Sequence, residues 1–162
     1  MVQGKYEKYI VTELKPDIAV TPRHPPVPEA GKGKGGRIMY LDNEVVPGAF
    51  YVDCVWIIPG PDGKPIRNDR NPASKKLGEG IGPHAHDDYD EVIAFFGTDM
   101  EDPKDLGAEI ELWLEDEKYI LTKTCIVFVP RGVTHCPLKI LHIKRPVFHF
   151  TTAAMKIYYE GE

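Results

Sequence analysis

Residues 78–97 read Gly78-Glu79-Gly80-Ile81-Gly82-Pro83-His84-Ala85-His86-Asp87-Asp88-Tyr89-Asp90-Glu91-Val92-Ile93-Ala94-Phe95-Phe96-Gly97, and residues 130–135 read Pro130-Arg131-Gly132-Val133-Thr134-His135. Three imidazoles and a carboxylate set among strand-like sequence are a donor set that suits a first-row divalent metal. His84 and His86 are two apart, so on a strand their side chains leave from one face. Glu91, five residues on, can return to that face across a tight turn. The spacing therefore predicts two ligands from one strand and a third from its hairpin partner, with His135 arriving from the second stretch.

The first stretch resembles the first motif of the cupin superfamily, with Gly78, His84, His86, Glu91 and Gly97 at its fixed places. The second resembles the second cupin motif through Pro130, Gly132 and His135. The likeness covers residues 78–139 directly and departs from the pattern at Thr124, where the family has glycine, and at Lys139, where it has asparagine. Neither position is a metal ligand in the family. The resemblance implies an all-β double-stranded β-helix, the jelly-roll or cupin barrel, with a metal inside one end. It also implies octahedral coordination by His84, His86, Glu91 and His135, with two positions left for water or substrate. A small oxygen-rich organic acid, keto acid or sugar derivative is the substrate class it implies, and decarboxylation, dioxygenation or isomerisation the chemistry. One fold hosts many functions, so a metal-dependent binding or sensor module without turnover is the second expectation. Fe, Mn, Ni, Zn and Co all accept these donors.

At 162 residues the chain is long enough for one well-buried core, and it divides into an N-terminal arm, 1–36, and a barrel domain, 37–162. In the arm, Pro16, Pro22, Pro25, Pro26 and Pro28 precede Gly31, Gly33, Gly35 and Gly36, which excludes regular structure there. Its apolar pieces, Tyr6, Tyr9-Ile10-Val11 and Ile18-Ala19-Val20, have no local core to join. They must pack on a sheet, and a homodimer with the arm near its interface is expected. Twenty-five acidic against 20 basic residues give a net charge of −5, with no basic stripe for a nucleic acid. Cys54, Cys125 and Cys136 form no disulfide framework and suit a reducing cytoplasm. No apolar run reaches the length of a membrane span.

Short β-rich runs separated by turn signals are expected as strands at 38–41, 49–58, 91–96, 108–114, 119–122, 126–129, 137–141 and 147–152. The fourth and fifth should form a hairpin across Glu115-Asp116-Glu117. Residues 59–83, rich in Pro, Gly and charge, read as a long loop bordering the site. With Glu91 facing inward, Ile93 and Phe95 share its face. The strand at 49–58 then presents either Tyr51, Asp53, Val55 and Ile57, or Phe50, Val52, Cys54 and Trp56. An inward Asp53 would be a candidate catalytic general base. Arg67, Arg70 and Arg131 are candidate anion anchors, and a carboxylate of Asp87-Asp88-Tyr89-Asp90 is a candidate support for a ligand imidazole. His149 should face away from Phe148 and Phe150 as a satisfied core or surface histidine. Cys125 reads as a core residue, and Cys136 as pointing away from the ligand side.

Overall fold

A computed structural model describes residues 5–14, 30, 35–66 and 82–154. The eight β-rich runs expected between 38 and 152 form as strands: β1 (Gly36–Leu41), β2 (Tyr51–Ile57), β3 (Glu91–Phe96), β4 (Asp105–Leu114), β5 (Glu117–Lys123), β6 (Cys125–Val129), β7 (His135–Ile143) and β8 (Val147–Ala153). They build two antiparallel sheets, a five-stranded one in the order β1-β2-β8-β3-β6 and a three-stranded one in the order β5-β4-β7. Two facing sheets whose strands cross between layers make the all-β jelly-roll barrel that the motifs implied. No helix among the described residues is long and apolar enough to cross a membrane.

Alternation decides which residues meet between the sheets. Ile93 and Phe95 of β3, Leu106, Ala108 and Ile110 of β4, Val129 of β6, Ile143 of β7 and Val147 of β8 form the main core. On β2 the inward set is the one containing Tyr51 and Asp53, both buried, while Val52, Cys54 and Trp56 take the outer face. The β4–β5 hairpin turns tightly, Leu114 pairing with Glu117 and Glu115 taking a left-handed φ of 53°. Gly97, which ends β3, has to be a glycine because a Cβ there would collide with the Asp105 carbonyl.

Of the stretch read as a long loop, residues 59–66 and 82–83 are described. Pro59 and Pro65 bridge, and the Ile66 N–H donates to the Ile58 carbonyl at 2.8 Å. Arg67, Arg70 and Gly78 lie outside the described residues. The described part of the arm makes a 3-10 turn at Glu7–Tyr9 and then lies on its own barrel. Leu14 packs on Tyr40, Tyr51 and Ala153, while Tyr9 and Val11 share a groove with Met39, Leu41, Val52 and Cys54.

Candidate metal centre

His84 and His86 do not belong to a regular strand. His84 makes an isolated antiparallel bridge with His135, its N–H donating to the His135 carbonyl at 3.0 Å and the reverse bond measuring 2.8 Å. The ligand segment is therefore a ragged extension of the three-stranded sheet beyond β7. Glu91 opens β3, in the opposite sheet. The Asp87–Asp90 turn is thus a crossover between layers and not a hairpin, which corrects the expected layout. The donors still converge, because the barrel closes where the turn crosses.

The backbone of the second motif holds the first. Gly132 adopts φ 79°, a left-handed conformation that glycine takes without a Cβ penalty, and its N–H donates to the His86 carbonyl at 2.7 Å. The Val133 N–H closes the turn on the Pro130 carbonyl at 3.1 Å. Proline, glycine and histidine of the second stretch therefore act together: a tight turn anchors His86 and delivers His135 beside it.

The imidazole nitrogens of His84, His86 and His135 lie within 4.8 Å of one another. Glu91 Oε2 is 2.9 Å from His135 Nε2 and 3.8 Å from His86 Nε2. Each ring is fixed through its other nitrogen. His84 Nδ1 donates to the Gly82 carbonyl at 2.8 Å and His135 Nδ1 to the Val133 carbonyl at 3.3 Å. His86 Nδ1 lies 2.6 Å from the Tyr89 hydroxyl, whose ring stacks on the imidazole with centroids 4.5 Å apart. Carbonyls accept only, so His84 and His135 carry their protons on Nδ1 and turn the Nε2 lone pairs inward.

That arrangement fits a metal. His135 is 1% exposed, and its Nε2 has no partner of hydrogen-bond geometry even though the Glu91 oxygen is 2.9 Å away. Two acceptors face each other across that contact, and a cation between them resolves it. Donors about 2.1 Å from a shared ion stand roughly 3 Å apart when adjacent, the separation observed between Glu91 Oε2 and His135 Nε2 at 2.9 Å. Burial alone would raise the Glu91 carboxyl, but the His135 contact and the positive charge that His135, His86 and His84 bring when protonated outweigh it, and the net direction is down. The carboxylate is held ionised, as a ligand must be.

The other expected site residues find different partners. Asp53 does face the barrel interior, but both its oxygens are taken by Arg37, at 2.7 Å from Nε and 2.6 Å from the terminal nitrogen. Neither oxygen is open to a substrate proton in this state, which counts against the general-base expectation. The support for a ligand imidazole comes from the Tyr89 phenol rather than from a neighbouring carboxylate. Asp90 instead accepts from the Arg131 backbone N–H at 2.9 Å and from its guanidinium at 3.3 Å, which engages Arg131 at the surface. His149 faces away from Phe148 and Phe150, as expected, and into the interior, stacked on Phe95 with centroids 4.6 Å apart. Its Nδ1 donates to the Ala94 carbonyl at 3.0 Å, and its Nε2 accepts from the Thr151 hydroxyl at 3.4 Å. Cys136 is buried within the barrel, since its left-handed φ of 71° breaks strand alternation after His135. Burial and the Glu91 charge push its thiol up to about 12.

Thr124 and Lys139, where the chain leaves the cupin pattern, have local work. The Thr124 hydroxyl accepts from the Gly97 N–H at 3.0 Å and donates to the Pro103 carbonyl at 2.8 Å. Lys139 lies 3.7 Å from Glu111 across the β4–β7 pair. Tyr89 and Arg37 were not singled out by sequence reasoning. Alternation from Glu91 could have flagged Tyr89 as a partner on the ligand side, whereas nothing local marks Arg37.

No family model matches the chain, and no curated protein matches its sequence. Solved structures resemble it in fold. A predicted oxalate decarboxylase from Thermotoga maritima is 9% identical with a TM-score of 0.47, over 75% of this chain and 80% of its own. A cupin protein from Bacteroides fragilis is 10% identical with a TM-score of 0.44, over 84% and 90%. An RmlC-like cupin from Shewanella frigidimarina is 13% identical with a TM-score of 0.42, over 84% and 89%.

Proposed function

We propose that His84, His86, Glu91 and His135 hold one divalent transition metal (Fe, Mn, Ni, Zn or Co) and that the barrel is a metalloenzyme for a small oxygen-rich organic acid, keto acid or sugar derivative, of decarboxylase, dioxygenase or isomerase type. The observation that carries this reading is the lone pair of His135 Nε2 turned onto a buried carboxylate, with the other two imidazoles within 4.8 Å. A bound metal would supply Lewis-acid polarisation of a substrate oxygen, or redox capacity. The chain supplies the rest. Tyr89 and the Gly82 and Val133 carbonyls orient the rings, and the fixed charge of Glu91 lowers the net charge of the loaded site.

The interior beyond the ligands is not lined by apolar groups alone. Arg37, Asp53, His149 and Thr151 all lie there, on strands β1, β2 and β8. In this reading a substrate carboxylate competes with Asp53 for the Arg37 guanidinium, a fork suited to bidentate carboxylate binding, and an Asp53 oxygen released in this way serves as the base. The present Arg37–Asp53 pairing favours the second reading, a metal-dependent binding or sensor module, because it leaves no carboxylate open beside the ligands. Assembly as a homodimer belongs to either reading. The free thiols Cys54, Cys125 and Cys136 suit a reducing cytoplasm.

Metal analysis of protein purified without chelating resin should give one equivalent, lost in a His84→Ala/His86→Ala variant. Equal metal in variant and parent would overturn the ligand set. Fe(II), Mn(II), Ni(II) and Co(II) forms, screened with and without O₂ against organic acids and sugar derivatives, should show turnover that Asp53→Asn removes while metal content holds. Binding without turnover in every metal form selects the sensor.

A further inference from the structure

Five polar or charged side chains are buried among the described residues: Arg37, Asp42, Asp53, Glu91 and His135. Asp42 lies past the end of β1, where its Oδ1 accepts the Glu44 and Val45 N–H groups at 2.9 Å each. The buried charges that remain are Arg37, Asp53 and Glu91. Arg37 and Asp53 meet through hydrogen bonds of 2.7 and 2.6 Å and cancel as a unit. The imidazoles add no charge. Those that hold a metal are neutral, and His149 donates from Nδ1 to the Ala94 carbonyl while its Nε2 accepts from Thr151, the pattern of a neutral ring.

Register fixes where these groups stand. Tyr51, Ala153 and Glu91 share one inward row across β2, β8 and β3, and Asp53, Thr151 and Ile93 form the next on the same face. Successive inward rows are about 7 Å apart, so the Arg37–Asp53 unit lies one row deeper than Glu91, with Thr151 directly across from Asp53. Val55 and Thr151 face inward and are nonetheless only half-buried, so protein does not fill the space beside them. The Thr151 hydroxyl, 3.4 Å from His149 Nε2, spends its proton there and keeps its lone pairs for another donor.

We infer that this interior selects a hydroxylated acid of a single negative charge, a hydroxy or polyhydroxy monocarboxylate, and rejects dicarboxylates. This names the substrate class of the proposed function and rests on its metal. A divalent ion set against Glu91 leaves one positive charge between the sheets. One carboxylate, whether on the ion or on Arg37, brings the interior to neutrality. A second one is an uncompensated buried charge, facing Glu91 or Asp53 at about the distance of one row. Like charges about 7 Å apart at an effective dielectric of about 20 repel by an amount worth roughly 50-fold in affinity. Thr151 supplies the other half of the selection: a substrate hydroxyl donates to its lone pair, and a keto oxygen has no proton to give.

The test is calorimetric titration of protein carrying one measured equivalent of Zn(II), a redox-inert ion, with acids that share a chain and differ at one end. Threonate is set against tartrate, and gluconate against glucarate. Each monocarboxylate should bind roughly 50-fold more tightly than its dicarboxylate. Asp53→Asn, which adds one positive charge to the interior, should erase or reverse that preference. Arg37→Met/Asp53→Leu removes both charges as a neutral unit and should keep it, which also serves where the single variant fails to fold. Thr151→Val should weaken threonate roughly 5-fold and leave 2-hydroxybutanoate, which lacks the distal hydroxyls, unchanged. Protein that takes up no metal removes the proposed function, and the inference falls with it. Metal-loaded protein that binds the dicarboxylates as tightly, or binds neither class, overturns the inference alone. So does a preference that persists in Asp53→Asn or vanishes in the double variant. Threonate affinity unchanged in Thr151→Val overturns the selection for a hydroxyl.

Discussion

Tyr89 bears on the site through one imidazole. Its hydroxyl fixes His86 Nδ1 at 2.6 Å, and its ring packs on the same side chain. Removing such an outer partner usually costs 10–100-fold in metal affinity. Tyr89→Phe keeps the stacking and loses the hydrogen bond, so competition with a chelator should show a metal dissociation constant raised roughly 10-fold, with the fold intact. His149 offers a test of a different kind. Burial pushes its imidazole below the ordinary histidine value, against the Ala94 hydrogen bond and the charges of Asp53 and Glu91, which push it up. The unfolded residue takes up a proton below about pH 6.5 and the folded one does not, so unfolding binds a proton there. Stability should therefore fall as the pH drops from about 6.5 toward the lowered folded value. In metal-free protein, urea midpoints of His149→Phe should lose pH dependence relative to the parent over that window. Equal slopes would remove His149 as its source.

Between elements, the Arg37–Asp53 pair ties β1 to β2 inside the barrel, with side chains only 7% and 10% exposed. Arg37 also lies over the Tyr40 ring, 5.4 Å from its centroid. Deleting one partner of such a pair strands a buried charge and costs about 3–5 kcal/mol, whereas replacing both with apolar residues is often close to neutral. Arg37→Ala should show that loss in chemical denaturation, and Arg37→Met/Asp53→Leu should recover most of it. A double variant no more stable than the single one would mean that the pair's geometry, and not its charge balance, holds the two strands. The strands themselves were legible in the sequence, since β-branched and aromatic alternation fixes them locally. The His84–His86 segment was read as a strand, yet only its bridge to His135 forms. The cause is non-local: the chain has to leave the β7 side to reach β3 in the other sheet.

For the whole molecule, a metal held as proposed would couple to the fold, because the four side chains that would hold it come from both sheets. A metal that binds only the folded chain stabilises it by about 2.7 kcal/mol at a free concentration of 100 times its dissociation constant. Chelation should therefore lower the melting temperature by several degrees, and re-addition of metal should restore it. The same shift in a His84→Ala/His86→Ala chain would place the stabilising ion elsewhere. Ligand imidazoles must be unprotonated, and Glu91, held below its ordinary value, loses its charge only on strong acidification. Release as the pH falls should thus follow the histidines, and the chelator-induced shift should vanish below about pH 5.

The sequence by itself determined the eight strands and the β class, because period-two alternation is a local property that one strand expresses unaided, and its two motifs named the side chains, His84, His86, Glu91 and His135, that the structure brings together. It also carried the meaning of Gly132, since a Pro-x-Gly turn ahead of a histidine is a local geometry. The partnerships were decided only by the tertiary structure. Asp53 meets Arg37, 16 residues away, and Arg131 meets Asp90, 41 away. Nothing in either member's neighbourhood specifies its partner, because cross-strand register and the closure of one sheet on the other set those distances.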